Sequence, residues 1–368
     1  MSPELTTPEH RIEAVQALVR VMQDARKVIL TTHLNADGDG AGSEAALLSL
    51  LTEAGVEAWI VNPTPFPDLF RFLVPDPARV LDSAGAEAER RCREADLCVV
   101  LDTGEKSRIG RVKPLVDHLP LAIVDHHPQG DAALVGTWLL DPSASAAGEL
   151  VFDLVAEWGG PWTRAVVEGL YVAILTDTGS FRFSNATPRA HRVVAELIGR
   201  GAEPDVLHRK IYGHVPIRRV RLLDAALPTL EVAPGGGVAW MTVPEVPFRE
   251  MACTSEDLNG MVDLPRELEG VEVGLLFREI EAGQVKVSLR SNAEVDVNRV
   301  AREFGGGGHV RASGALIPGT LEEVRAQVVE RVVAEVDAAR ERALAAGSDS
   351  DSRGFPGTEL PGERGVNP

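Results

Sequence analysis

Three side chains able to bind a metal ion lie close together near the start of the chain. His33, Asp37 and Asp39 follow the apolar run 28–30, so an imidazole and two carboxylates are spaced four and two residues apart. Such ligands suit divalent cations of the manganese type, and a turn that leaves a buried strand can direct them at one ion. Taken alone, the segment is equally compatible with an acidic surface turn. Further potential metal ligands elsewhere in the chain would favour the metal site over the surface turn.

Glycines are interspersed in the same segment. Gly38, Gly40 and Gly42 tolerate backbone dihedrals that other residues disfavour, and residues 45–51 are expected to form the helix that follows. The glycines would bring the backbone close to a bound ligand.

Two further carboxylates end apolar runs downstream. Asp102 follows residues 97–101, a continuous apolar run typical of a buried parallel strand, and Asp177 ends the predicted helix 162–176. Ligands bind at the carboxyl ends of strands in open parallel sheets, so Asp102 is expected beside the first motif. A helix N-cap is the alternative role for Asp102.

Adjacent histidines end another apolar run. His126 and His127 come after residues 121–124 and are preceded by Asp125. Because the side chains of neighbours diverge at a strand end, we expect one histidine to bind metal and the other a substrate phosphate. Asp125 is expected to orient them.

Acidic residues inside the predicted helices receive a different interpretation. Glu149, Asp153 and Glu168 occupy helical positions without a strand end beside them, so we expect solvated or helix-capping side chains. They are left out of the candidate site.

Composition limits the class of protein. The chain has 368 residues, of which 44% are hydrophobic, so two domains with packed cores are expected. The formal charge of −18 argues against a long nucleic-acid track but allows one or two phosphates in a focused cleft. The three cysteines lack paired ligand spacing, and neither a targeting pattern nor a membrane-length apolar run is present. Free thiols, a cytoplasmic location and no membrane partner are therefore expected.

Alternation of strands and helices predicts an α/β fold with a parallel sheet in the first part of the chain. Predicted strands are 28–30, 57–61, 97–101 and 121–124, and predicted helices are 11–26, 45–51, 145–158, 162–176, 188–200, 204–212 and 215–226. The pattern changes beyond residue 229 to strands at 237–243, 271–280 and 285–290, which places a domain boundary near residue 225. A short helix then reaches residue 304, a terminal helix spans 321–344, and 345–368 has the composition of a disordered tail.

A glycine run marks the second part of the chain. Gly305, Gly306, Gly307 and Gly308 can bring backbone N–H groups close to an anion, with a flexible loop as the alternative. The run is not a P-loop, because no Gly-Lys-Ser/Thr follows, and its spacing does not fit G-x-G-x-x-G.

The separated motifs of the first part, in this content, order and spacing, resemble the DHH phosphoesterase family. The resemblance implies two divalent ions, usually Mn²⁺, with Mg²⁺ or Co²⁺ as alternatives, in a parallel-sheet domain. His33 and Asp37 would bind one ion, Asp39 and His126 the other, Asp102 would bridge, and Asp177 would complete the set. His127 would contact the phosphate. Arg182 is also predicted to bind the substrate.

The glycine run is similar to the motif of the DHH-associated C-terminal domain, which implies a smaller α/β domain with a mixed sheet and a cleft between the domains. By the same likeness, Arg290, His309 and Arg311 would hold the substrate's terminal phosphate or base together with Gly305–Gly308. The predicted domains are a catalytic domain at 1–195, a helical linker at 196–225, a substrate-binding domain at 226–344 and the tail.

Size and domain order are most similar to the bacterial nano-RNase and pAp-phosphatase subgroup. The resemblance therefore implies a two-metal phosphodiesterase that degrades short oligonucleotides and linear dinucleotides such as pApA to 5′-mononucleotides, with pAp and c-di-AMP as further substrates. Expected partners are short RNA or DNA, dinucleotides, pAp and a second copy of the chain. The alternatives are a RecJ-like single-stranded DNA exonuclease, a family II pyrophosphatase and a metal-dependent nucleotide sensor without turnover.

Overall fold

The chain divides into two compact units, Met1–His214 and Val215–Pro368. The structure, a computed structural model, describes residues 5–130, 132–213, 215–258, 260–281, 283–292 and 295–350. Residues 196–225, predicted as a separate linker, are shared between the two units.

The first unit is a six-stranded sheet with helices packed around it. Its strands are β1 (Lys27–Thr31), β2 (Glu57–Asn62), β3 (Val80–Asp82), β4 (Leu97–Leu101), β5 (Leu121–Asp125) and β6 (Thr137–Leu140). Its α-helices are α1 (Glu9–Asp24), α2 (Gly38–Glu53), α3 (Ala86–Glu94), α4 (Lys113–Val116), α5 (Ala147–Trp158), α6 (Arg164–Asp177), α7 (Pro188–Gly199) and α8 (Pro204–Tyr212). Short 3₁₀ helices lie at Asp68–Leu73, Pro77–Arg79 and Gly110–Val112.

The order of the strands determines where a ligand can bind. The sheet runs β3-β2-β1-β4-β5-β6, and every neighbouring pair is parallel. From β1 the chain first moves outward through β2 and β3, and then continues on the other side of β1 with β4. The loops after β1 and β4 therefore separate at a topological switch point, where open α/β sheets bind ligands. The predicted parallel-sheet domain is confirmed.

The glycines of the first motif serve close packing. Helix α2 begins at Gly38, and none of Gly38, Gly40 and Gly42 has a positive φ, so the special dihedrals that glycine tolerates are not used here. A Cβ at Gly42 would overlap the carbonyl oxygen of Gly169 in α6, and one at Gly38 would overlap Thr176. The absence of side chains allows α2 and α6 to cross almost backbone to backbone.

Buried charge joins α1 to α5. Glu149 and Asp153 are nearly inaccessible, and Nη1 of Arg11 donates to both at 2.9 and 3.0 Å. Glu168 is also buried and accepts a hydrogen bond of 2.6 Å from Arg164. The expectation of solvated side chains was wrong for all three residues, because arginines pair with them. The alternative of a capping role fits Glu149, which also accepts the amide of Ser145 at 3.0 Å just before α5.

The second unit contains a mixed sheet. Its strands are β7 (Glu231–Val232), β8 (Val238–Val243), β9 (Val273–Glu281), β10 (Gln284–Ser291), β11 (Gly307–His309) and β12 (Ala312–Pro318), in the order β11-β12-β10-β9-β8-β7. Only β8 and β9 are parallel among these pairs of described strands. The helices are α9 (Ile217–Ala226), α10 (Glu245–Glu250), α11 (Asp263–Arg266), α12 (Val297–Glu303) and α13 (Leu321–Ser350), with 3₁₀ turns at Leu227–Thr229 and Ser255–Leu258. The predicted mixed sheet is confirmed.

The terminal helix is longer than predicted. Helix α13 packs on the sheet through one buried row of valines, Val324, Val328, Val332 and Val336. It continues to Ser350, so the tail predicted from residue 345 is helical over its first six residues. The rest of that prediction, 351–368, lies outside the described residues. Within the described part of the chain, no helix combines the length and the apolarity needed to cross a membrane.

We expect Gly42→Ala to lower the free energy of unfolding by about 1–3 kcal/mol, since the new methyl group must push α2 away from α6. Chemical denaturation measures this change. Gly199→Ala is the matched control, because a Cβ at this helical glycine meets nothing within 4 Å. It should be neutral or stabilising by up to about 1 kcal/mol. Equal effects of the two substitutions would contradict the close crossing.

Candidate metal centre

The first motif forms the turn between β1 and α2. Asp37 is the N-cap of α2, and its Oδ1 accepts from the amides of Asp39 and Gly40 at 3.0 and 3.2 Å. This arrangement satisfies orphan donors of the first helical turn. The side chain of Asp37 remains 59% exposed, while His33 is buried behind it. The same turn therefore presents one accessible and one buried ligand group.

Asp39 is buried against the start of α5. Its two carboxylate oxygens accept hydrogen bonds from the amides of Ala147 and Gly148 at 2.6 and 2.8 Å. Burial raises the pKa of Asp39 well above its usual range, and the charge of Asp102 raises it further while that of His126 opposes. A nearby cation would favour the ionised form of this carboxylate.

Asp102 lies between two imidazoles. Its φ of 59° is in the left-handed region, which aspartate tolerates better than most residues, and strain of this kind concentrates at functional sites. Its Oδ2 is 3.2 Å from Nε2 of His33, and its Oδ1 is 3.4 Å from Nε2 of His126. Burial acts to raise the pKa of Asp102, but the two histidines outweigh it and hold the pKa well below its usual value.

His126 brings two more carboxylates together. Its Nε2 lies 3.7 Å from an oxygen of Asp39 and 3.7 Å from Oδ2 of Asp177, the last residue of α6. The side-chain amide of Asn185 donates to Oδ2 of Asp177 at 3.1 Å. Burial raises the pKa of Asp177 to about 6, with attraction to His126 acting in the opposite direction. Nδ1 of His126 faces the carbonyl oxygen of Ala144 at 3.3 Å, which leaves Nε2 toward the carboxylates.

All six residues predicted as metal ligands are thus neighbours. Their ligand atoms form two groups, each within 4.8 Å, which are His33, Asp37 and Asp102, and Asp39, His126 and Asp177. Asp102 also groups with His126 and His127, so it lies between the two sets.

Unsatisfied atoms show that the donor set fits a divalent cation. Nε2 of His33, Nε2 of His126 and Oδ1 of Asp102 are buried without a hydrogen-bond partner in the described structure. Burial acts to lower the pKa of both histidines, but the surrounding carboxylates outweigh it and raise each to about 10. Buried polar atoms normally find a partner, and nitrogen and oxygen ligands of this kind bind divalent metals. The residues present therefore fit metal binding.

His127 lies at the accessible side of the cluster. Its Nδ1 is 2.9 Å from Oδ1 of Asp125, and the same oxygen accepts its backbone amide at 3.0 Å. Asp125 therefore fixes the ring, whose side chain is 24% exposed. Arg182, in the turn after α6, is exposed, and its Nε donates to the carbonyl of Gly179 at 2.8 Å. No hydrogen bond in the described structure joins Arg182 to the six clustered side chains.

The candidate residues of the second unit lie on β10 and around β11. Arg290 is partly buried, and burial lowers its pKa. The run Gly305–Gly308 forms the turn after α12 and enters β11, with positive φ at Gly305 and Gly308. Arg311 is exposed in the turn between β11 and β12, whereas the side chain of His309 lies outside the described part of the structure.

Sequence reasoning missed a buried polar chain that braces the motif. Glu44 accepts a hydrogen bond of 2.8 Å from Asn62, whose Oδ1 accepts the amide of Thr32 at 3.2 Å. Thr32, next to His33, also donates through its hydroxyl to the carbonyl of Leu101 at 2.8 Å. Burial raises the pKa of Glu44 to about 8. The signal in the sequence was the polar Asn62 at the end of an apolar strand.

Comparison with known proteins identifies the family models and relatives that this chain resembles. The model of the DHH family N-terminal domain matches residues 27–174, and that of the DHHA1 domain matches residues 240–339. A Thermus thermophilus protein named bifunctional oligoribonuclease and PAP phosphatase NrnA is 35% identical over 84% of this chain and 90% of its own length. A Bacillus subtilis protein of the same name is 26% identical over 82% and 92%.

A solved structure shares the architecture. The exopolyphosphatase-related protein from Bacteroides fragilis superposes with a TM-score of 0.81 at 26% identity, covering 87% of this chain and 95% of that protein. The resemblance inferred from the motifs is confirmed. The chain belongs to the DHH family, with an N-terminal DHH domain followed by a DHHA1 domain.

Proposed function

We propose that this protein is a metal-dependent phosphoric-ester hydrolase that cleaves short oligonucleotides and linear dinucleotides to 5′-mononucleotides and removes phosphate from pAp. The observation that carries the proposal is the pair of ligand groups flanking Asp102. The names of the Thermus and Bacillus relatives, which match most of the chain, support the substrate class. Cyclic dinucleotides such as c-di-AMP and short DNA are further proposed substrates.

The proposed cofactor is a pair of Mn²⁺ ions. His33 and Asp37 would hold one ion, Asp39, His126 and Asp177 the other, and Asp102 would contact both. When bound, two such ions supply Lewis-acid stabilisation of phosphoryl charge and lower the pKa of a water molecule. The buried Nε2 atoms of His33 and His126 support this assignment, because they face carboxylates without forming a hydrogen bond.

The protein's own groups position the ester. Asp125 holds the Nδ1–H of His127, so Nε2 is the ring atom that can donate to a phosphoryl oxygen when it is protonated. Four carboxylates surround the centre, and their field disfavours an anionic substrate until cations are bound. Binding of the phosphate would therefore depend on metal, and the charge of −18 would favour short substrates over long strands.

The second unit is proposed to bind the rest of the substrate. Arg290 and Arg311 supply positive charge, and the backbone of Gly305–Gly308 supplies N–H donors close to its surface. The exposure of Arg311 and the positive φ of Gly305 and Gly308 support this role. His309 and, in the first unit, Arg182 are the remaining proposed substrate contacts.

The direct test mixes protein with Mn²⁺ and pApA and follows AMP by chromatography. We expect release of AMP, abolition by EDTA, turnover of pAp, and rates that fall from two to about ten nucleotides. Binding of pApA without release would instead identify a metal-dependent nucleotide sensor. Faster cleavage of long single-stranded DNA would identify a RecJ-like exonuclease.

Asp102→Asn should reduce turnover of pApA by at least about 100-fold. Even the loss of a group that only orients a metal ligand typically lowers metal affinity or activity by about 10–100-fold. Asparagine also tolerates the left-handed backbone, but it no longer pairs with the two imidazolium groups, so thermal unfolding in EDTA should shift to a lower temperature in a protein that still folds. Asp117→Asn, an exposed aspartate paired with Lys113, is the control and should retain wild-type turnover. Full activity of Asp102→Asn would contradict the bridging role.

Metal binding should release protons near pH 7.5, two of them from His33 and His126, because these imidazoles, with pKa values of about 10 in the metal-free protein, must deprotonate to bind. Lowering the pH favours the protonated imidazoles, so the affinity for Mn²⁺ should fall from pH 8 to pH 6. Calorimetry in buffers of different ionisation enthalpy measures the protons. Binding without proton release would contradict ligation by these histidines.

A further inference from the structure

A cavity of about 560 Å³ lies in the first unit, beyond the carboxyl ends of β2 and β3. Its volume is within the roughly 300–1,000 Å³ of small-molecule sites. Eight of its fourteen lining residues are apolar, and six are polar or charged. The lining residues include Asn62, Thr64, Phe66, Arg71, Asp82 and Arg111.

The cavity shares a wall with the metal motif. Its Asn62 accepts the amide of Thr32 at 3.2 Å, and the hydroxyl of its Thr64 accepts the amide of Asn35 at 2.8 Å. These two bonds hold the chain on either side of His33. A molecule in the cavity would therefore lie beside the segment that carries the first ligand group.

The chemistry of the wall suits one nucleotide unit. Apolar side chains, among them three prolines, offer a surface for a base, while Arg71 and Arg111 offer charge for a phosphate. Arg71 is paired with Asp68, but no ion pair of Arg111 occurs among the described residues. Asp82 ends β3 with Oδ1 accepting the amide of Ala84, and its carboxylate can accept from a ribose hydroxyl as acidic residues do at such strand ends.

We propose that this cavity is a nucleotide subsite that binds the unit of the substrate adjacent to the phosphate being cleaved. The proposal rests on the proposed hydrolase function and deepens it: the subsite would give dinucleotides an advantage over esters that lack a second nucleoside. Arg111 would contact a phosphate and the apolar wall a base.

Two substitutions test the subsite. Arg111→Gln removes the cation, and Ala84→Trp fills the cavity that Ala84 lines. For each variant we expect kcat/KM for pApA to fall at least tenfold more than kcat/KM for bis(p-nitrophenyl) phosphate, a diester without nucleosides. Arg93→Gln, an exposed arginine of α3 outside the cavity, should match wild type on both substrates.

Equal losses on the two substrates in a variant whose thermal unfolding matches wild type would overturn the subsite. If wild type hydrolyses neither substrate, the hydrolase function fails and binding decides the subsite alone. The Kd of AMP, measured by calorimetry in EDTA, should then rise at least tenfold in Arg111→Gln. An unchanged Kd would overturn the subsite independently of catalysis.

Discussion

Mutual repulsion among clustered carboxylates is the constraint that dominates the candidate metal centre. Asp39, Asp102 and Asp177 converge within a few ångströms on the ring of His126, and Asp37 completes the ring of acidic groups from the solvent side. Such a cluster costs free energy unless positive charge compensates it. In the metal-free protein the two imidazolium groups supply that charge, and divalent ions would replace the protons when they bind.

The fold supplies the geometry through backbone features more than through side chains. The strand order places the ends of β1 and β4 side by side, and the left-handed Asp102 turns its carboxylate between two histidines that come from different loops. Helix α2 contributes Asp37 as a cap and Asp39 in its first turn, while α6 ends at Asp177. Each ligand group is therefore fixed at an element terminus, where a rigid scaffold holds it.

Much of this organisation follows from local patterns. The apolar runs that became β1, β4 and β5, the helical periodicity of α1 and the polar residues at strand ends predicted the sheet and the gathered site residues. Short elements such as β3 and β6 escaped because three or four residues carry too little pattern. The burial of Glu149 escaped because its partner Arg11 is 138 residues away, a distance that no local window spans.

The glycines illustrate the same limit. Their sequence pattern suggested unusual dihedrals, yet the requirement at Gly42 is space for a neighbouring helix, which depends on tertiary packing. The continuation of α13 to Ser350 was likewise missed, because Gly347, Ser348 and Asp349 are weak helix formers whose composition favoured a tail. Roles of individual ligands remain predictions, since spacing alone does not specify which atom meets which ion.

The contact between Gly42 and Gly169 has a consequence for selectivity among ions. Where two helices touch through their backbones, no side chain is available to compress or change rotamer, so the distance between their axes is fixed. Asp39 in the first turn of α2 and Asp177 at the end of α6 are therefore attached to backbones whose separation is fixed. Adjustment of the spacing between Asp39 and Asp177 to the radius of a bound ion would therefore depend on side-chain rotation and not on movement of the two helices.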